Sequence, residues 1–75
     1  MLDRDEIRSF FGFLDTASDR EISEREQSLD KMVGVLEVGS DARKDVQFLL
    51  RKLREEKAIR VNLTWRRQQR EAQQR

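Results

Sequence analysis

The side chains of this sequence that could carry chemistry are carboxylates, serine hydroxyls and lysine amines, because histidine and cysteine are both absent. The usual proton shuttle, the activated thiol and the base of a catalytic triad are therefore missing. Ser18 and Ser40 stand where helices are expected to begin, and capping is the preferred role of serine there. The sequence predicts that the protein is not an enzyme and takes no small-molecule substrate.

Acidic residues are grouped in three places, and carboxylate oxygens are the ligands that magnesium prefers. None of these groups (residues 3–6, 21–24 and 55–56) has a recognised metal-ligand spacing, and each falls where a solvated helical face is expected. The stretch GVLEVG (residues 34–39) has glycines spaced as in a phosphate-binding loop. It is followed by Ser40 and Asp41 instead of the lysine that would meet phosphate. We therefore expect neither a metal nor a cofactor.

Chain length limits the hydrophobic core. Seventy-five residues make one domain, and a chain of this size buries only about 60% of its unfolded surface. Without cysteine or histidine, neither a disulfide nor an ordinary zinc site can stabilise the fold. Small chains of this kind often gain burial by oligomerising, so we expect a homodimer or a constitutive protein partner.

Charge is distributed unevenly along the chain although the net charge is only +1. Residues 1–38 carry ten acidic and five basic side chains, whereas residues 39–75 carry five acidic and eleven basic ones. This polarity indicates either an anionic partner for the second half or head-to-tail pairing between chains. Two solvated faces that differ in charge are the alternative.

The N-terminus, MLDRDE, is acidic and is not followed by the hydrophobic region of a signal peptide. The longest apolar clusters, residues 10–14 and 32–36, are too short to span a bilayer. We expect a cytoplasmic protein without membrane contact.

Apolar residues at helical spacing predict helices over about residues 3–15, 19–37 and 41–57. The third has the clearest stripe, which includes Val46, Leu50 and Leu53. In the second, the polar pair Arg25 and Glu26 stands where a core residue is expected. Either the start of that helix projects beyond the core, or the helix breaks near residues 27–28.

The period changes after the third helix. Ile59, Val61, Leu63 and Trp65 alternate with polar residues, which predicts a half-buried β-strand over residues 58–66. Such a strand needs a neighbour, either residues 32–38 or the same strand in a second copy. The alternative is that the helix simply continues through this proline-free segment.

Together these patterns predict a mostly α, small three-helix domain over residues 1–65, with a short C-terminal strand and an oligomeric state. Residues 66–75 (RRQQREAQQR) contain no large apolar side chain and form a polar, basic tail, either a frayed helical extension or disordered.

The sequence supports two binding hypotheses. The first is a regulatory or assembly protein, such as an adaptor, an inhibitor or a chaperone-like factor, that acts through protein contacts and works as a homodimer. Phe48 lies opposite the apolar stripe of the third helix, so we expect it to be exposed and to anchor an interface. The strand would pair across a two-fold axis or extend another sheet. The candidate interface residues are Phe48, Ile59, Leu63 and Trp65.

The second hypothesis is nucleic-acid binding. The order of helices and strand over residues 28–66, and in particular LLRKLREEKAIRV (residues 49–61), resembles a winged-helix domain at the end of its recognition helix. That resemblance implies a helix-turn-helix regulator whose basic third helix contacts phosphates and base edges. The alternative is a solubilising basic face. The candidate residues are Arg43, Lys44, Gln47, Arg51, Arg54, Arg66 and Arg67.

Overall fold

The computed structural model describes residues 2–73, which form three helices in sequence: α1 (Arg4–Thr16), α2 (Asp19–Val35) and α3 (Asp41–Gln73). No strand occurs in this part of the chain. The prediction of a mostly α, three-helix domain is therefore confirmed. At about 1.5 Å per residue, the 33 residues of α3 account for the long dimension of the molecule, which measures 54 × 25 × 18 Å. The last two residues of the predicted tail lie outside the described range.

Side-chain caps fix where the helices begin. Asp3 accepts a hydrogen bond of 2.8 Å from the amide three residues later at the start of α1. Ser18 and Glu21 form the predicted capping box of α2, with bonds of 3.1 and 3.2 Å. Ser40 accepts from the backbone N–H of Arg43 at 3.2 Å. Each bond satisfies an amide that has no partner within its own helix.

A short turn after α2 reverses the chain into α3. Gly39 has a φ of +81°, the left-handed conformation that glycine adopts without steric cost. The side chain of Ser40 spans this turn, because its hydroxyl also donates to the carbonyl of Glu37 at 2.8 Å. α2 and α3 consequently lie side by side and run in opposite directions.

The core consists of apolar side chains from all three helices and from the α1–α2 connection. Ile22 and Leu53 are the most deeply buried, with 1% and 0% of their surfaces exposed. Phe13, which falls outside the apolar stripe of α1, packs against the edge of this core. The buried set is Phe10, Leu14, Ala17, Ile22, Leu29, Val46, Leu50 and Leu53.

Ion pairs fill the polar gap in the apolar stripe of α2, and the helix neither breaks nor projects there. Glu26 accepts from Lys57 Nζ at 2.8 Å and from Arg54 Nε at 3.1 Å, which links α2 to α3. The guanidinium carbon of Arg25 lies 4.4 Å from the centre of the Phe13 ring, a cation–π contact with α1. The hydrogen bond from Lys57, together with Arg54, lowers the pKa of Glu26.

The predicted strand over residues 58–66 is wrong, because α3 continues through these residues to Gln73. The candidate neighbouring strand, residues 32–38, instead supplies the last turn of α2 and the connection that follows it. A strand without a neighbour leaves its backbone groups unpaired, whereas a helix pairs them internally. With no proline in the chain, elongating an existing helix also avoids a new nucleation step.

Arg60, on α3, connects this helix to the end of α1 and the start of α2. Its guanidinium donates to the Leu14 carbonyl at 2.8 Å, to Asp19 at 2.9 Å and to Glu56 at 3.0 Å. The Leu14 carbonyl lies in the last turn of α1, where carbonyls lack partners within the helix and a positive charge is favoured. The hydrogen bond that Arg60 donates to Asp19, followed in size by the one to Glu56, raises the pKa of the Arg60 guanidinium. One side chain thus ties the α1–α2 connection to α3.

We predict that Glu26→Gln lowers the free energy of unfolding by about 1 kcal/mol at pH 7, because two partly exposed ion pairs lose their charge. A carboxylate with a lowered folded-state pKa stabilises the fold above its unfolded pKa of about 4.3, and this contribution is lost as the pH falls through the folded value. Urea unfolding at about pH 7 and pH 3 should therefore show the variant approaching the parent at acid pH. Glu24→Gln is the matched control, since Glu24 and its partner Arg20 are 64% and 89% exposed. An equal deficit at both pH values would contradict the assignment.

We predict that Arg60→Met lowers the melting temperature, because the methionine retains the apolar stem but removes the donors to Leu14 and Asp19. Arg66→Met, an exposed substitution on the same helix, should leave the melting temperature unchanged. Asp19→Asn should have an intermediate effect, since the bond to the Leu14 carbonyl remains. Circular dichroism melts of the three variants test this order, and identical melts for Arg60→Met and Arg66→Met would refute it.

Candidate interaction surface

The C-terminal segment of α3 (residues 58–73) carries large apolar side chains that face water. The exposed fractions of Ile59, Val61, Leu63 and Trp65 are 52%, 68%, 57% and 58%. All side chains from residue 61 to residue 72 are exposed. Single apolar residues are common on protein surfaces, but four of them on one short segment are typical of an interaction site.

The helical conformation divides these four residues into two pairs. At 100° per residue, Ile59 and Leu63 lie on one side of α3, and Val61 and Trp65 lie roughly 200° further round. The strand would have placed all four on a single face. The segment therefore presents apolar surface in two opposite directions, which is typical of a helix enclosed by neighbours.

Val61 and Trp65 line an open groove of about 380 Å³ at the end of the bundle. The start of α2 contributes Ile22 and Ser23 to the same groove. Further lining comes from polar and charged side chains, namely Asp19, Lys57, Arg60, Thr64 and Gln68. The groove continues the apolar boundary between α2 and α3 beyond the point where α2 begins.

Phe48 shares a face with Ile59 and Leu63, since the three residues fall within about 60° around the axis of α3. Phe48 is half-buried, not fully exposed as the sequence suggested. Lys52 Nζ lies 5.8 Å from the centre of its ring, a cation–π contact along the same face. Three of the four predicted interface residues thus share one face of α3, with Phe48 about 17 Å from Ile59 along the axis. Trp65 belongs to the groove instead.

Two of the predicted nucleic-acid contacts are engaged within the chain. Arg43 donates to the Leu36 carbonyl at 3.3 Å and so closes the turn between α2 and α3. Arg54 donates to Glu26 and lies 3.6 Å from Asp30. These two arginines stabilise the contact between helices, and only Arg54 has more than half of its side chain exposed.

The remaining predicted contacts are exposed. Lys44, Gln47 and Arg51 line a shallow groove of about 540 Å³ along α3, together with residues of α2 that include Asp30. Arg66 and Arg67 lie on the C-terminal segment, about 20 Å further along the helix at 1.5 Å per residue. The structure therefore separates the basic residues into two exposed groups.

The sequence reasoning missed Glu26 and Arg60 as structural residues. The polar gap at Glu26 was a usable signal, because a charge inside an apolar stripe calls for a partner on the facing helix. No comparable signal marked Arg60, since its role depends on where α1 ends in space.

Between residues 2 and 73, no three acidic side chains come together as metal ligands. No helix in the same range has both the length and the apolar character needed to cross a bilayer.

Comparisons of the chain with protein-family models, with curated proteins and with solved structures gave no match.

Proposed function

We propose that this chain is a non-catalytic regulatory or assembly protein that acts through protein contacts and works as a homodimer. The observation that carries the proposal is the exposure of Ile59, Val61, Leu63 and Trp65, each more than half exposed, on one helical segment. Complete burial of a fully exposed side chain of this kind contributes about 1.5–3 kcal/mol, and roughly half of each of these four remains to be covered. Exposing this apolar surface to water is therefore unfavourable in free energy, and contact with another protein surface would remove that cost.

A second copy is the occupant that the rest of the chain favours. Among residues 2–73, the core contains eight buried residues. This is little for a chain without disulfides, and small chains often gain burial by association. The acidic excess of residues 1–38 and the basic excess of residues 39–75 also suit contact between copies. Opposite charges that meet across an interface guide association and fix orientation.

We predict that the purified chain has twice its monomer mass of 9.0 kDa in solution. The double variant Phe48→Glu/Leu63→Glu should weaken self-association by at least about tenfold, because each substitution places a carboxylate without a cationic partner in an apolar contact. Sedimentation equilibrium over a range of concentrations measures this change.

Val35→Glu is the matched control, since Val35 is an apolar residue in the last turn of α2 that is 84% exposed. It should leave the association unchanged. A monomeric parent chain, or an equal loss in the control, would contradict the homodimer.

Nucleic-acid binding is the second candidate, and the exposed set Lys44, Gln47 and Arg51 along one groove favours it. A winged-helix arrangement does not support it, because residues 58–66 form helix where the wing strand was expected. The basic side chains would then contact phosphates from a bare helical face.

We predict no retardation of duplex DNA or RNA by this protein at about 50 mM salt, a concentration at which phosphate contacts are strong. Should retardation occur, weaken with salt and decrease in Lys44→Gln/Arg51→Gln, the nucleic-acid candidate would replace the homodimer as the primary function. Lys31→Gln, an exposed lysine on α2, is the control for a general loss of positive charge.

A further inference from the structure

One side of α3 carries a regular series of residues along almost its entire length. We name it the outer face. At 100° per residue its members fall within an arc of about 80°, and the centre of this arc is about 140° from the buried stripe of Val46, Leu50 and Leu53. The outer face consists of Asp41, Asp45, Phe48, Lys52, Glu55, Ile59, Leu63, Arg66 and Arg70.

The chemistry of the outer face changes from one end to the other. It begins with two acidic residues and ends with the two arginines, Arg66 and Arg70. Between them lie apolar positions on both sides of the middle, Phe48 on one side and Ile59 with Leu63 on the other. Leu63 and Ile59 are more than half exposed, and Phe48 is half-buried.

Read in the opposite direction, this series is complementary to itself. If two copies of α3 lie antiparallel with the two-fold axis between residues 55 and 56, Asp41 of one copy meets Arg70 of the other. In the same register Asp45 meets Arg66, and Phe48 meets Leu63. Ile59 meets Lys52, whose apolar stem covers it. The two-fold symmetry repeats every pair, so on each side of the axis two charged contacts lie outside one apolar contact.

The middle of this arrangement brings Glu55 and Glu56 of both copies near the axis. Each carboxylate already has a cation from its own chain. Lys52 Nζ lies 3.4 Å from Glu55, and Arg60 Nε lies 3.0 Å from Glu56. Repulsion between the two copies is therefore reduced at the point where they approach most symmetrically.

A parallel arrangement is much less favourable. It would place Asp41 against Asp41, Arg66 against Arg66 and Arg70 against Arg70, so that like charges oppose each other at both ends. Surface ion pairs contribute little energy individually, but they select between orientations that bury similar apolar area.

We propose that two copies of this chain associate through the outer faces of α3, antiparallel, with the axis between Glu55 and Glu56. This inference rests on the proposed homodimer and specifies its face, direction and register. It leaves the groove of Val61 and Trp65 outside the contact between the two α3 helices.

Single cysteines report this register directly, because the natural chain has none. With a short bis-maleimide cross-linker, Glu55→Cys should yield a covalent dimer with itself, since the two copies of residue 55 lie beside the axis. Arg70→Cys should not, because its two copies are about 40 Å apart in the antiparallel register. An equimolar mixture of Asp41→Cys and Arg70→Cys should yield a covalent mixed dimer. Circular dichroism confirms that each variant is folded.

A second measurement does not depend on cysteine. Phe48→Glu alone and Leu63→Lys alone should each weaken self-association. A mixture of the two variants should form heterodimers, because one Phe48–Leu63 contact is retained and the introduced carboxylate meets the introduced ammonium group at the other. A monomeric natural chain would overturn the homodimer together with this register. A dimer in which Arg70→Cys cross-links to itself, or in which Glu55→Cys does not, would overturn the register alone.

Discussion

The structure depends on the ability of a helix to satisfy its own backbone hydrogen bonds. α3 passes from a buried environment beside α1 and α2 into water without any change in backbone conformation. A strand cannot do this, because its amides and carbonyls need a neighbouring strand along their whole length. The three-helix body can therefore be small while α3 still carries exposed apolar side chains beyond it.

Polar contacts complete what the small core leaves open. The eight buried residues of the described chain pack the helices together in the middle of the bundle. Near the C-terminal end of α1, contacts between charged side chains connect the helices instead. Glu26 receives two cations from α3, and Arg60 binds the last turn of α1 and the first residue of α2 at once. Because these groups remain partly solvated, their contribution is modest in energy. Their geometric role is larger, since they fix how α3 leaves the bundle.

Local sequence signals predicted much of this fold. Spacing of apolar residues identified the three helices, and the Ser18 and Ser40 caps lie where serine was expected. The alternation of Ile59, Val61, Leu63 and Trp65 was misleading, because period two describes a strand only when a neighbour is present to pair with it. Whether such a neighbouring strand exists depends on the whole fold, so residues 58–66 alone do not reveal it. The same limit applies to Arg60, whose partners are about 40 residues away in sequence. Phe48 was assigned to the correct face from its helical angle, although the structure leaves it half-buried and not fully exposed.

Because α3 is continuous, the three-helix body also fixes the angle at which the side chains of the C-terminal segment point around the helix axis. Arg60 and the core stripe orient the first half of the helix, and every later side chain takes its direction by counting from them. Inserting a single residue near position 60 would turn the segment by about 100° relative to the body, whereas inserting seven would turn it by only about 20°. The number of residues between the body and the C-terminal segment, more than their identity, therefore decides the direction in which the side chains of that segment point.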